Sequence, residues 1–277
     1  MGYHVAFEVE SFADLMHLEQ HGVDTYVGRG PEYPWGRVYG GQVVAQGLRA
    51  ASLTVEPQLS LHSVHAYFIR GGDSDEPIRF EVDRIRNGRS FATRRVVARQ
   101  SGGAILNLAA SYQVTEDGAT YQAESLSPSR PLPETIEPDP TTWGPLFERR
   151  WITHDRERGE SAAWLRLIDC PDDPVMNQCG LAYLSDDLPT DGVLATHPQS
   201  KGGLERYDGL IGASLDHAIW FHRPMSANRW QLYDFRGSGV ENNRGLAIGR
   251  VFDEAGVHVA TVAQEVLMRK FDRQRAS

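Results

Sequence analysis

The sequence lacks the features of several common classes of protein. Its two cysteines, Cys170 and Cys179, are too few for a disulfide framework and too far apart for a CxxC redox pair. No apolar run is long enough to span a bilayer, and the N-terminus lacks the basic and then apolar segments of a secretory signal. These absences predict a globular protein of the cytoplasm rather than a secreted or membrane protein.

Targeting signals are also missing at the two ends of the chain. Gly2 would suit N-terminal acylation, but Ala6 stands where that signal carries Ser or Thr. The last five residues, RQRAS, do not form a recognised targeting tripeptide. We therefore expect a cytoplasmic protein that has no membrane partner.

Positive charge is in short supply, since 28 Lys and Arg face 37 Asp and Glu and give a net charge of −9. Binding to nucleic acid regardless of sequence needs a basic face, so nucleic acid is not an expected partner. An anionic small ligand would require a local basic cluster. The densest cluster lies around the turn pair Asn87–Gly88 and comprises Arg84, Arg86, Arg89, Arg94 and Arg95. It is most simply interpreted as a solvated hairpin, because Asn-Gly favours type I′ turns.

Several catalytic motifs are absent as well. The segment GASLD has Asp216 where the GxSxG motif of serine hydrolases requires glycine, and no glycine pair matches a P-loop or a dinucleotide fingerprint. His17 and His21 are four residues apart on a predicted helix, a spacing that zinc can use, but no third ligand is evident. We expect two surface histidines there and no metal site.

The order of elements that is present indicates an α+β fold. The 277 residues, 40% of them hydrophobic, suffice for one large domain or two small ones. A helix-like run with a small apolar face follows Gly40–Gly41. Four segments of strand length then follow, with turn residues between them: 61–69, 78–86, 90–100 and 104–114. One helix followed by an antiparallel meander is an α+β arrangement.

The second half of the chain repeats the first. HAYFIRGGD at 65–73 resembles HAIWFHRPMS at 217–226, and AASYQ at 109–113 resembles ATVAQ at 260–264. The spacing from the arginine of the first motif to the glutamine of the second is 43 residues in one copy and 41 in the other. Such a repeat predicts two similar units fused in tandem.

A segment without periodicity separates the two copies. Residues 116–145 are rich in Pro, Ser, Thr and Glu, which is typical of a linker or a long surface crossing. The predicted organisation is an N-terminal unit of residues 1–118, a Pro-rich linker or crossing of residues 119–159, and a C-terminal unit of residues 160–277.

Three polar side chains of the second unit occupy places where chemistry could occur. Asp186 lies in a helix-capable segment, Ser214 in the strand-like IGASLDHAIWFHRP, and Gln264 in the last strand. These elements are neighbours in a unit whose helix rests on its sheet. A carboxylate, a hydroxyl and a carboxamide could hold one water molecule, with the carboxylate taking its proton. The structural alternative is that Asp186 caps a turn and Gln264 satisfies a backbone group.

The sequence resembles the acyl-CoA thioesterase II family of double-hotdog acyl-CoA hydrolases. The likeness runs from about residue 10 to residue 270 and is carried, in family order, by VYGGQVVAQGL, LHSVHAYFIRGGD, RNGRSFATRRVVA, AASYQ, LSDDLP, SLDHAIWFHRP and TVAQEVLMR. The resemblance implies two hotdog units, each an antiparallel sheet wrapped around a long helix. It also implies hydrolysis of acyl-CoA to a free acid and CoA without a cofactor, by a protein that forms homodimers.

The resemblance also implies the catalytic residues. The aspartate, threonine and glutamine that activate water in the family fall on Asp186, Ser214 and Gln264, with Asp187 as the alternative to Asp186. Serine in place of threonine keeps the hydroxyl but loses a methyl group that restrains the rotamer. Ser214 is thus expected to hold water rather than to act as a nucleophile.

The remaining polar residues are expected to support the site. His217 and His222 are expected to stabilise their strand by packing and hydrogen bonds. In the first unit only Gln113 is retained, so we expect one active site per chain.

Two other functions remain open from the sequence. An enoyl-thioester hydratase, a reaction that hotdog folds also host, could use His65 with Asp186, and a non-catalytic sensor could bind acyl-CoA without hydrolysing it. For any such ligand, we expect an apolar tunnel for the acyl chain, with a depth set by side chains such as Val44, Leu48 and Trp220. We expect CoA phosphates at its mouth, where at most one of two adjacent strand arginines, Arg94 and Arg95, can serve.

Overall fold

A computed structural model of the chain describes residues 9–127, 129–140, 142–155, 158–200 and 209–270. Gly2 and the terminal RQRAS lie outside the described residues. Within them, no helix combines the length and the apolar character that a membrane crossing needs.

The described residues form thirteen strands, four helices and one 3₁₀ turn, Pro133–Thr135. The helices are α1 (Phe12–Leu15), α2 (Gly40–Ser52), α3 (Pro174–Ser185) and α4 (Pro189–Thr196). The strands are β1 (Glu19–Gly22), β2 (Thr25–Gly28), β3 (Leu59–Phe68), β4 (Ile78–Asn87), β5 (Phe91–Gln100), β6 (Gly103–Val114), β7 (Phe147–Asp155), β8 (Glu160–Leu167), β9 (Leu210–Ser214), β10 (Asp216–Phe221), β11 (Gln231–Glu241), β12 (Arg244–Asp253) and β13 (His258–Lys270).

All thirteen strands belong to one antiparallel sheet. Its order is β1-β2-β4-β5-β6-β3-β10-β13-β12-β11-β8-β7, and β9 pairs with β13 beside this path. The first six strands come from the N-terminal half and the others from the C-terminal half, and pairing of β3 with β10 joins the halves. The predicted α+β double hotdog is confirmed, and its two units share one continuous sheet.

The two central helices pack against each other on the inner face of the sheet. A Cβ atom on Gly41 of α2 would lie 2.4 Å from the carbonyl oxygen of Tyr183 in α3, so only glycine allows this approach. The Tyr39 hydroxyl donates to the same carbonyl oxygen at 2.8 Å. This contact brings the start of α2 to the end of α3.

Helix α3 has a defined start and end. The Asp173 side chain accepts from the backbone N–H of Met176, and Pro174 occupies the first helical position, where its missing N–H costs nothing. The helix ends at Ser185, and Pro189 occupies the first position of the following helix, α4, where a missing N–H also costs nothing. Asp186 is therefore the C-cap residue of α3.

The four strands predicted in the first unit are confirmed as β3 to β6, and β4 and β5 form the predicted hairpin, but the type I′ geometry expected for its turn is wrong. Neither Asn87 nor Gly88 has a positive φ, as a type I′ turn requires. That geometry occurs in the β11–β12 hairpin instead, where Asn242 and Asn243 have φ angles of 50° and 58°.

The helix predicted to carry His17 and His21 is not present. Helix α1 ends at Leu15, and His21 lies on strand β1. Both histidines are exposed, and the described residues contain no group of three or more side chains able to hold a metal ion.

The crossing between the units is partly ordered into the sheet. Its residues Phe147–Asp155 form β7, which pairs with β8 at the edge of the sheet. Arg149 of β7 is fully buried and forms ion pairs with Asp139 at 2.7 Å and Asp187 at 2.5 Å. The crossing is thereby fixed to the end of helix α3.

Candidate active site

The end of helix α3 places a carboxylate against the start of helix α2. Asp186 is buried, and its Oδ2 accepts a hydrogen bond of 2.8 Å from the backbone N–H of Gly41. The partial positive charge at the N-terminus of α2 also favours the ionised carboxylate. The N-terminal half thus contributes directly to the site.

The three residues that the sequence singled out are joined by hydrogen bonds. The Ser214 hydroxyl donates to Asp186 Oδ1 at 3.1 Å, and Gln264 Nε2 donates to Ser214 Oγ at 2.8 Å. They come from helix α3, strand β9 and strand β13, which are far apart in the chain. If Asp186 only capped a turn and Gln264 only satisfied a backbone group, the three side chains would not need to meet.

A β-bulge at Leu215 shapes this part of the site. The single strand predicted for residues 211–224 is instead two strands, because Ser214 pairs with Val266 and Ala218 with Ala263, so four steps on one side match three on β13. The extra residue turns both Ser214 and His217 to the inner face, although side chains three apart face opposite ways in a regular strand.

The bulge is closed by a side chain. Asp216 accepts a hydrogen bond of 2.6 Å from the backbone N–H of Glu265, and the backbone N–H of Leu215 donates to the Glu265 carbonyl oxygen. The carboxylate of Asp216 therefore takes the place of a missing backbone partner, which explains one of the polar residues of this segment.

His217 and Ser185 extend the network behind Gln264. His217 is fully buried, its Nδ1 is hydrogen-bonded to Gln264 Oε1, and its Nε2 lies 2.8 Å from Ser185 Oγ. Burial lowers the pKa of His217 to about 4, so the ring is neutral near pH 7. His222 lies on the exposed side of the sheet and is hydrogen-bonded to Thr261.

The carboxylate of Asp186 is tuned towards neutral pH. Burial raises its pKa from 3.8 to about 7, and hydrogen bonds from Gln264, Ser214 and Gly41 oppose this rise only in part. A group with a pKa near the working pH can both accept and return a proton, which is the property of an efficient general base.

The adjacent Asp187 is not available for the same task. Its carboxylate pairs with Arg149 and accepts a hydrogen bond of 3.1 Å from the Trp143 indole. Of the two neighbouring aspartates, Asp186 is the one that contacts Ser214.

A cavity of about 670 Å³ opens onto this network. Asp186 and Ser214 lie in its wall, and its larger apolar side chains include Trp35, Tyr39, Val43, Phe68, Ile105, Trp143 and Leu210. Among the described residues, the cations that line the cavity are Arg37 and Arg70. An apolar cavity with a few polar groups and one shifted carboxylate has the properties of a ligand site.

Three side chains expected to set the tunnel depth do not line this cavity. Val44 and Leu48 are fully buried in the core, and Trp220 lies on the outer face of the sheet against the His65 ring. That prediction was wrong because Val43, one position away on α2, is the residue that faces the cavity.

The strand arginines suggested for phosphate binding are engaged elsewhere. Arg94 is buried and donates to Thr54, whereas Arg95 is paired with Asp83. Neither lines the cavity. The sequence reasoning missed Arg37 and Arg70, for which only their positions beside glycine-rich turns gave a signal.

The first unit has no equivalent network. Gln113 donates to Glu116, and Ser63 lies opposite Trp220 in the strand pairing. The histidine needed for a hydratase pair, His65, is also on the outer face, away from Asp186.

The sequence also missed Gly40 and Gly41 as site residues, although paired glycines before a helix are typical of a close backbone approach.

Comparison with known proteins gives matches along most of the chain. Residues 30–113 match the family model described as the acyl-CoA thioesterase N-terminal domain, and residues 123–268 match that of the C-terminal domain. Acyl-CoA thioesterase 2 of Haemophilus influenzae is 34% identical over 279 residues, which cover 92% of this chain and 96% of the relative.

Solved structures agree with these matches. An acyl-CoA thioesterase II from Mycobacterium marinum superposes with a TM-score of 0.80 at 34% identity, covering 94% of this chain and 99% of that one. A protein with a hotdog fold from Alicyclobacillus acidocaldarius gives a TM-score of 0.79 at 19% identity, covering 94% and 98% of the two chains. The chain belongs to the acyl-CoA thioesterase II family.

Proposed function

We propose that this chain hydrolyses acyl-CoA to a free carboxylic acid and CoA by direct attack of water. Asp186 is the general base, and Ser214 and Gln264 hold the water. The observation that carries the proposal is the hydrogen-bonded set of these three side chains, of which Asp186 and Ser214 lie in the wall of a largely apolar cavity and Gln264 is buried behind them.

The free hydrogen-bonding capacity of the three groups suits one water molecule. Gln264 Nε2 donates one N–H to Ser214, and its second N–H is directed towards the carboxylate of Asp186, whose oxygens have lone pairs beyond those used by Ser214 and Gly41. A water that accepts from Gln264 and donates to Asp186 keeps a lone pair for the thioester carbon. The new C–O bond replaces the C–S bond, and Asp186 returns the proton to the departing thiolate.

Release of free CoA thiol tests this proposal. We expect thiol to appear when the protein is incubated with saturated acyl-CoAs, assayed from two to eighteen carbons. A saturated substrate cannot be hydrated, so its hydrolysis would exclude a hydratase as the explanation. Binding of acyl-CoA with no thiol released over hours would contradict the proposal and favour a sensor.

Substitutions of Ser214 separate the water mechanism from a serine nucleophile. In the water mechanism Ser214→Ala removes one ligand of the water, so we expect a smaller loss of kcat than for Asp186→Asn. Ser214→Thr keeps the hydroxyl, so its kcat should equal or exceed that of the unmodified protein. Rapid-quench mass spectrometry during turnover should show no acyl adduct, and an adduct on Ser214 would refute the mechanism.

We propose that Arg37 and Arg70 bind the phosphate groups of CoA at the mouth of the cavity. In the described part of the chain neither forms an ion pair with a carboxylate, although Arg70 donates to the Gly102 carbonyl oxygen. The net charge of the protein is −9, so the protein as a whole repels the negatively charged CoA. Local cations at the mouth would offset this repulsion.

Higher salt and the loss of either arginine should therefore both weaken substrate binding. At low salt we expect Arg37→Ala or Arg70→Ala to raise KM by about three- to tenfold, and the difference should shrink as salt rises. Arg89→Ala is the matched control, since Arg89 is exposed, carries the same charge and does not line the cavity. An unchanged KM in both variants, or a KM independent of salt, would contradict the phosphate contact.

We further propose the setting in which this activity operates. The chain acts in the cytoplasm in fatty acid metabolism, with residues 1–118 and 160–277 as its two units and residues 119–159 as the crossing. It forms homodimers, for which the exposed apolar side chains on the outer face of the sheet, Tyr67, Trp220, Leu246 and Ile248, provide a contact surface.

A further inference from the structure

We propose that His217 is a positioning residue, which holds the carboxamide of Gln264 in the one orientation that donates to Ser214 and to the attacking water. This inference rests on the proposed role of Gln264 as a holder of that water. It assigns a task to a buried histidine that contacts neither the cavity nor Asp186.

Five side chains form a chain of four hydrogen bonds, which the peptide bond between Ser185 and Asp186 closes into a loop. The loop runs from Asp186 through Ser214, Gln264 and His217 to Ser185, which precedes Asp186 on helix α3. Strand register sets up one link, since pairing of Ala218 with Ala263 places His217 opposite Gln264. The loop thus begins and ends on neighbouring residues of one helix.

The ionised carboxylate fixes the direction of every hydrogen bond in this loop. Ionised Asp186 can only accept, so the Ser214 hydroxyl must donate to it. Ser214 then accepts from Gln264, which turns the amide nitrogen towards Ser214 and the amide oxygen towards His217. His217 must therefore donate from Nδ1–H, which leaves Nε2 bare. This nitrogen accepts from the Ser185 hydroxyl, whose single proton is then turned to His217 and away from its other acceptor, the Ala182 carbonyl oxygen at 3.0 Å.

Without His217, no partner would hold the Gln264 carboxamide in this orientation. A carboxamide rotated by half a turn would present its oxygen to Ser214 and to the water, where two donors are required. His217 and Gln264 are fully buried, so bulk water is not in contact with either to replace the lost partner. Small errors in the position of a reacting group can lower rates by about a hundredfold.

His217 is not itself a base or a nucleophile in this arrangement. Both ring nitrogens are occupied, one by Gln264 and one by Ser185, and the ring is not among the cavity-lining groups. Its burial also opposes protonation, since the pKa of His217 lies near 4. Its effect on the reaction is exerted through Gln264.

Two substitutions of His217 distinguish positioning from packing. The amide nitrogen of asparagine lies where Nδ1 lies in histidine, so His217→Asn can still donate to Gln264. The amide of glutamine reaches the place of Nε2, so His217→Gln keeps the contact with Ser185 and loses the donor to Gln264. Glutamine is closer in volume to histidine, so packing alone favours His217→Gln.

We expect the positioning role to give the opposite order in kcat. His217→Asn should stay within about threefold of the unmodified protein, whereas kcat of His217→Gln should fall by about ten- to a hundredfold with little change in KM. The midpoint of the pH profile near 7 should not move, because it belongs to Asp186. Thermal unfolding of both variants reports any loss of stability separately.

A double-mutant comparison ties the effect to Gln264. Gln264→Ala alone should lower kcat by about ten- to a thousandfold, and His217→Gln should add little in that background. A His217→Gln variant with unchanged kcat, or equal losses in the two His217 variants, would overturn the positioning role. An unchanged kcat in Gln264→Ala would instead overturn the proposed role of Gln264.

A measurement on the unmodified protein covers the case in which the variants do not fold. Nitrogen-15 NMR of histidine-labelled protein at pH 8 should show His217 as the neutral tautomer that carries its proton on Nδ1. A proton on Nε2 would mean that the carboxamide accepts from Ser214, and this result would overturn the proposal.

Discussion

Asp186→Asn is expected to lower kcat for thioester hydrolysis by about 10²–10⁴, with little change in KM. The asparagine side chain can still accept from Gly41 and occupy the same space, but it cannot take the proton of the attacking water. Thiol release measured at saturating acyl-CoA gives the comparison. A loss smaller than about tenfold would mean that another group removes the proton.

The pH dependence of the same reaction should show one ionisation near neutrality. The base must be ionised, so kcat should rise with pH and level off above the pKa of Asp186, which is about 7. The rise should be absent from the residual activity of Asp186→Asn. A profile that is flat between about pH 5 and 9 would contradict the assignment of the base.

Asp186→Asn should also stabilise the fold at neutral and alkaline pH. Because burial raises the pKa of Asp186 from 3.8 to about 7, the folded state binds more protons than the unfolded state between these values. The extra proton binding at Asp186 stabilises the folded state below about pH 4, and this stabilisation is lost as the pH rises to about 7. Removing the charge should regain up to about 4 kcal/mol above pH 7, measured by denaturant unfolding.

Asp187→Asn is the matched control for the neighbouring position. It weakens the buried ion pair with Arg149, so the free energy of unfolding should fall by about 1–3 kcal/mol. Its kcat should change far less than that of Asp186→Asn. A reversed order of the two kcat losses would assign the base to Asp187.

The paired glycines at the start of helix α2 should respond differently to alanine. In Gly40→Ala the new Cβ atom would lie 2.6 Å from Asp186 Oδ2 and 3.0 Å from the Phe68 ring. The carboxylate can move aside, so the fold should persist, but the base would leave its position. We expect kcat to fall by about a hundredfold with a small change in stability.

In Gly41→Ala the obstacle is backbone rather than side chain. The Cβ atom would lie 2.4 Å from the Tyr183 carbonyl oxygen, so helices α2 and α3 would have to separate. We expect a loss of about 1–3 kcal/mol or more in the free energy of unfolding. Unfolding and kcat measured on both variants test the pair, and a Gly40→Ala variant with unchanged kcat would contradict the proposed position of the base.

Much of the secondary structure could be predicted, and three residues could be proposed for the site, because each depends on local pattern. The alternation of apolar residues marked strands β3 to β6, and the repeat of HAYFIRGGD in HAIWFHRPMS indicated two units. Asp186, Ser214 and Gln264 could be named because polar groups in otherwise apolar elements are costly unless they are paired or used. No sequence pattern indicated the hydrogen bonds between these three side chains.

The sequence could not show which neighbouring residue takes which task. Asp186 and Asp187 are equivalent in sequence, and only the end of helix α3 turns one towards Ser214 and the other towards Arg149. Val43 and Val44 were likewise indistinguishable until the packing of α2 placed one on the cavity and the other in the core.

By itself the sequence determined the α+β class and the two fused units, and it singled out the carboxylate, hydroxyl and carboxamide that we propose for the site. Only the tertiary structure decided how these groups meet. The bulge at Leu215 turns Ser214 and His217 to one face, and the contact of Gly41 with Tyr183 brings the N-terminal half to Asp186. The physical reason is that local pattern fixes the period of a strand or helix, whereas register shifts and helix contacts arise from packing between residues distant in the chain.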